Sequence, residues 1–91
     1  MTRCTVTWWK AARDELTEIW LAGPDRASIA MAADQLDREL RDRAEFWAQR
    51  SVEEPYFIHV AMLRAYFRIS EMDRLVEVFK VFRVEQAPGA I

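Results

Sequence analysis

Two glycines, three prolines, one cysteine and one histidine in 91 residues exclude several common chemistries. A phosphate-binding loop or a dinucleotide fingerprint needs closely spaced glycines, whereas Gly23 and Gly89 lie at opposite ends of the chain. With Cys4 alone there is no intrachain disulfide and no thiolate set for zinc, as expected for a reducing compartment. No metal and no cofactor are expected. His59 has no Ser or Cys near it in sequence, so a nucleophile–histidine pair is not indicated. No stretch approaches the roughly 18 apolar residues of a membrane span. The start Met1–Thr5 lacks the apolar run of a signal peptide, so the sequence reads as cytoplasmic, with no membrane partner. Excess charge is also missing. Thirteen basic and fifteen acidic side chains give −2, which argues against holding nucleic acid by bulk electrostatics.

What is present is enough for one small domain over residues 1–91, with a frayed tail from about residue 85. Hydrophobic residues make up 52%, so a core can form. A chain this short buries only about two-thirds of its unfolded surface, which makes its eleven aromatic residues valuable as core pieces or as an interface. Residues 1–55 hold eight basic and eleven acidic side chains, and residues 56–91 hold five and four, so only the second part is mildly basic.

The periodicity predicts an α+β chain. Cys4 to Trp9 is β-branched and aromatic and reads as a strand. From Lys10, the apolar positions Ala12, Leu16, Ile19 and Trp20 follow helical spacing. Gly23-Pro24 should end that helix, with Gly23 in a left-handed cap and Asp25 as the N-cap of a second helix. This second helix carries Ile29, Ala32, Ala33, Leu36 and Leu40 toward Ala44. Its other side offers the i,i+4 pairs Asp34–Arg38, Asp37–Arg41 and Arg38–Asp42, the pattern of a solvated face. Glu45 to Pro55 shows no clean period and reads as a connection containing Phe46 and Trp47. Tyr56 to Val60 is strand-like. Leu63 to Val84 reads as a long hairpin turning at Glu71-Met72-Asp73. In its first arm Leu63, Ala65, Phe67 and Ile69 point to the core and Arg64, Tyr66 and Arg68 point away. The second arm does not alternate, which implies a strand covered on both sides or a bulge.

Arg64, Tyr66 and Arg68, with Lys80 and Arg83 on the neighbouring arm, could converge on one sheet face. Guanidinium groups there would meet phosphate oxygens and a Tyr ring would stack on a base, as single-stranded RNA is held. The same residues could equally form a solvent face of cross-strand pairs with Glu71, Asp73 and Glu77.

The order of strand, helix, Gly-Pro break, helix and antiparallel sheet resembles the RelE/ParE superfamily of type II toxin–antitoxin toxins, which includes plasmid stabilisation proteins. The resemblance is carried by Val6-Thr7-Trp8 with Ala12, Leu16, Ile19 and Trp20, and by Arg26, Ile29, Ala33 and Leu40. Leu63 to Ile69, Asp73 and Val76 to Val81 complete it. It implies an N-terminal strand and an antiparallel two-helix hairpin on a small antiparallel β-sheet. It also implies a growth inhibitor neutralised by a cognate antitoxin, with operator DNA contacted only through that antitoxin. Two activities occur in the superfamily: ribosome-dependent mRNA cleavage and poisoning of DNA gyrase. By position, Arg64 matches a family Arg and Arg83 falls near a second cationic position, so Arg64, Arg83 and Tyr66 are the catalytic candidates of the RNA-cleaving reading. Arg68, Lys80 and His59 are its substrate-binding candidates. Nothing aromatic follows Phe82 and Glu45–Glu54 has no lysine, so part of the RNA-cleaving set is missing. A ParE-like toxin with a protein target is therefore favoured over an mRNA endonuclease. A non-toxic antitoxin-binding module that kept the fold is the third alternative.

Overall fold

The computed structural model describes residues 4–51 and 55–84. Its elements run β1 (Thr5–Trp8), α1 (Lys10–Ala22), α2 (Arg26–Arg50), β2 (Tyr56–Val60), β3 (Leu63–Ser70) and β4 (Leu75–Arg83). The expected tail from residue 85 lies outside the described residues.

The four strands form one sheet in the order β1-β4-β3-β2. β2, β3 and β4 are antiparallel, as expected, but β1 joins β4 in parallel, so the sheet is mixed. Local pattern could not disclose this, because it specifies which residues extend and not which edge they join. Both helices pack on one side. Ile29, Leu36, Leu40 and Ala44 of α2 and Ala12 of α1 are fully buried, as are Ile58, Leu63, Ala65, Phe67, Val76 and Val78 of the sheet. Each large side chain among these contributes about 1.5–3 kcal/mol by leaving water.

The connection expected over Glu45 to Pro55 is helical as far as Arg50. Leu36, Leu40 and Ala44 continue as a helical stripe into Trp47, which packs on the core. The adjacent aromatics Phe46 and Trp47 had masked that period. α2 is kinked at Arg43, where φ is −136° and ψ is 32°. Ser51 ends the helix. Its N–H donates to the Ala48 and Trp47 carbonyls at 3.2 Å, and its buried hydroxyl donates to Trp47 O and accepts the Phe57 N–H, each at 3.0 Å.

The turns show how a chain short of glycine manages. Ala61, between β2 and β3, and Arg74, between β3 and β4, adopt positive φ of 52° and 51°. Each costs about 1–2 kcal/mol of backbone strain. Gly23 meanwhile is extended (φ −107°, ψ 160°), contrary to the left-handed cap expected. What position 23 requires is space: a Cβ there would sit 2.6 Å from Asp25 Oδ1 and 3.2 Å from Arg83 Nη1.

One register detail governs everything on β4. Phe67 pairs with Val78, but Tyr66 pairs with Lys80, so Phe79 is an extra residue. This bulge is one of the two explanations the irregular pattern allowed. Because side chains alternate with period two, one inserted residue reverses the face of every residue after it.

Candidate functional site

The helix-free face of the sheet gathers most of the candidate residues. β3 alternates as expected and sends Arg64, Tyr66 and Arg68 outward, away from Leu63, Ala65 and Phe67. Their register partners on that face are Phe82 for Arg64 and Glu77 for Arg68 on β4, and Phe57 and His59 for Tyr66 and Arg64 on β2. At the bulge both Phe79 and Lys80 lie opposite Tyr66.

The result is a continuous row of rings. Trp9 and Phe79 have centroids 5.7 Å apart, Phe79 and Tyr66 stack at 6.4 Å, and Tyr66 meets Phe82 at 5.7 Å. Such contacts are worth about 0.5–1.5 kcal/mol each beyond area burial and hold the rings in place. Arginines sit at the two ends. Arg68 lies 5.7 Å above the Trp9 ring and Arg64 lies 5.0 Å above Phe57. Trp9 Nε1 donates to Glu77 Oε2 at 3.0 Å, which fixes the indole that Arg68 covers.

His59 is fully engaged. Its Nε2 donates to the Ala61 carbonyl at 2.9 Å, which leaves Nδ1 as the acceptor facing Arg64 Nη2 at 3.4 Å. Arg64 Nε is the buried side-chain polar atom left without a hydrogen-bond partner among the described residues.

Two expected members leave the group. Arg83 pairs in register with Leu63, so it faces the helix side, reversed by the Phe79 bulge. There it makes a bidentate pair with Asp25, Nη1 to Oδ1 at 3.1 Å and Nη2 to Oδ2 at 2.9 Å. Asp25 thus sits at the N-cap position of α2 without capping it through its side chain. Arg83's hydrogen bonds hold its carboxyl below the ordinary aspartate range. Lys80 is drawn to α1, where its Nζ donates to Glu15 Oε2 at 3.1 Å.

Glu15 is the residue that sequence reasoning missed. β1 ends at Trp8, opposite Val78, so the β4 backbone beyond has no strand on that edge. Glu15 Oε1 accepts the Val81 N–H at 3.0 Å in place of a strand carbonyl. A glutamate on a mostly polar helix surface gives no sequence signal of this role.

The aromatic residues divide. Trp8 and Trp47 pack against the core, with Trp8 Nε1 donating to Asp37 and Trp47 Nε1 to Glu39. Trp9, Phe46 and Trp20 are exposed, and Trp20 is covered by Arg26 at 4.7 Å instead of completing the buried stripe of α1. The Asp34–Arg38 and Asp37–Arg41 pairs form on α2 as expected. None of the described helices is long and apolar enough to cross a membrane.

No protein-family model and no curated protein matches the sequence. Solved structures do match in fold. The toxin–antitoxin complex RelBE2 from Mycobacterium tuberculosis aligns over 91% of this chain and 93% of that chain, with a TM-score of 0.71 and 17% identity. The chromosomal ParDE toxin–antitoxin system from P. aeruginosa aligns over 91% and 98%, with a TM-score of 0.66 and 20% identity. The isolated E. coli RelE toxin aligns over 92% and 87%, with a TM-score of 0.58 and 16% identity. The chain has the α+β fold of RelE/ParE toxins.

Proposed function

We propose that this chain is the toxin of a type II toxin–antitoxin pair, neutralised by a cognate antitoxin, and that it inhibits growth by engaging a protein target such as DNA gyrase. The observation that carries this reading is the make-up of the outer sheet face. Four contacting rings lie there with two guanidinium groups, while two expected cations are neutralised elsewhere. Surfaces that bind proteins are rich in Trp, Tyr, Phe and Arg. Cleaving RNA through its 2′-OH needs a base for that hydroxyl, cations for the developing charge and an acid for the leaving oxygen. Here the acceptor nitrogen of His59 faces a guanidinium, Lys80 is bound to Glu15, and Arg83 is bound to Asp25 on the opposite side. Arg64, Tyr66 and Arg68, with Trp9, are the engaging residues of this reading. Operator DNA is contacted only by the antitoxin.

Controlled induction of the chain in a bacterial host tests it. Growth should stop, and recover on co-expression of the antitoxin. Tyr66→Ala with Arg68→Ala should relieve the arrest, whereas a folded Arg83→Ala should still arrest. Unchanged supercoiling by gyrase at micromolar toxin would remove gyrase as the target. Codon-phased transcript cuts that vanish in Arg64→Ala would replace this reading with ribosome-dependent mRNA cleavage. Soluble protein that leaves growth unaffected would favour the non-toxic binding module.

A further inference from the structure

Two surface features at one end of the molecule are chemical complements. The first lies on the last turns of α2, beyond the kink at Arg43. Phe46 is 38% exposed, with the Arg43 guanidinium 4.2 Å and the Arg50 guanidinium 5.4 Å from its ring; Arg43 Nη1 also lies 3.4 Å from Glu39 Oε1 on the preceding turn. The ring is held edge-on against Trp47 at 5.4 Å, and Trp47 is anchored to Glu39 Oε1 at 3.0 Å. An exposed ring bracketed by two cations, with its supports fixed, has the make-up of an interface anchor.

The second feature is the turn between β3 and β4. Met72 is 97% exposed and lies in the chain between Glu71 and Asp73, which are exposed as well. This turn is also held. Ser70 Oγ donates to Asp73 Oδ2 at 3.1 Å, the Arg74 N–H donates to Glu71 O at 3.3 Å, and the Thr5 N–H donates to Arg74 O at 2.9 Å.

An exposed methionine with an acidic residue on either side in the chain fits a phenylalanine bracketed by guanidinium groups. Thioether sulfur packs favourably on aromatic rings, and Arg–carboxylate pairs set orientation through charge-assisted hydrogen bonds. Within one chain, a cleft of about 690 Å³ lies between this turn and the Glu45, Ala48 and Gln49 flank of the same α2 turns. Both features therefore sit at one end, which is what a reciprocal two-fold contact requires. We propose that the chain self-associates as a two-fold dimer. Met72, Glu71 and Asp73 of each copy seat on Phe46, Arg43 and Arg50 of the other.

Analytical ultracentrifugation of the full chain, made by cell-free synthesis, tests this. The expected result is reversible association from 10.7 kDa toward twice that mass with rising concentration, weakened by added salt. The double variant Glu71→Lys, Asp73→Lys and the double variant Arg43→Glu, Arg50→Glu should each raise the dimer Kd at least about tenfold. Mixed together they should re-form a dimer, because one of its two contacts is then the wild-type pairing and the other its charge-swapped counterpart, and both are attractive. A wild-type chain that stays monomeric to about 500 μM, above which only very weak association remains, would overturn the proposal. So would a mixture that stays monomeric while both variants keep the wild-type circular dichroism. Met72→Ser decides the matter if the charge variants misfold. It should also weaken the dimer, and an unchanged Kd overturns the proposal.

Discussion

β3 and β4 are neighbours of similar length and composition, yet they handle their cations in opposite ways. β3 alternates without interruption, so Arg64 and Arg68 share the outer face with Tyr66. β4 carries the extra residue Phe79, which turns Arg83 to the helix side, while Lys80 reaches a helix carboxylate. Alternation is a reliable guide to a site only as far as the first irregularity. Beyond it the residue types stay the same and the chemistry they can join changes.

The largest effect should come from β3. Phe67→Ala empties a fully buried position and should cost about 3–5 kcal/mol, measured by urea denaturation. A loss under about 1 kcal/mol would mean that the inner face of β3 is not the centre of the core. On β4, Glu15→Ala should cost about 1–3 kcal/mol, because it leaves the partly buried Val81 N–H without an acceptor. Glu15→Gln, which retains a carbonyl oxygen, should recover part of that loss. Equal losses in the two variants would show that the charge pairing with Lys80 dominates the backbone contact.

A pH series sharpens the comparison next. The Asp25 carboxyl is lowered in the folded chain, principally by hydrogen bonds from Arg83, so its stabilising effect is complete above the ordinary aspartate value of about 3.9. It fades as pH falls through the lower folded value. The urea midpoint of the wild type should therefore drop more steeply below about pH 4 than that of Asp25→Asn. Parallel curves would remove the pair from the account of β4. The smallest effect is expected at Arg68→Gln, within about 0.5 kcal/mol of wild-type stability, because the side chain is exposed. A larger loss would make Arg68 a structural residue and not part of an engaging surface.

Much of this was legible in the sequence because period reports burial. The stripe of α1 as far as Ile19, the inward set of β3 and the turn at Glu71-Met72-Asp73 all follow from spacing and turn chemistry. Arg64, Tyr66 and Arg68 were placed correctly for the same reason. The irregularity of β4 was visible as well, but not its position. Arg83 was expected beside Arg64 because it lies on the neighbouring arm, and the position of the bulge turns it to the other side. What stayed hidden were contacts between residues far apart in sequence. Glu15 with Val81 and Asp25 with Arg83 link positions 66 and 58 residues apart, and neither member carries a local mark of its partner. The helical extension to Arg50 escaped because Phe46 faces solvent beside the inward Trp47.

Gly23 has a consequence for the evolution of this chain. Its missing side chain makes room for Asp25 Oδ1 and Arg83 Nη1, so the three positions share one small volume. Substitutions there should be epistatic. Gly23→Ala should be costly when the Asp25–Arg83 pair is intact and much milder once Arg83 has been shortened. A lineage could then lose the glycine most easily after it had lost Asp25 or Arg83, an order that the volume around position 23 favours.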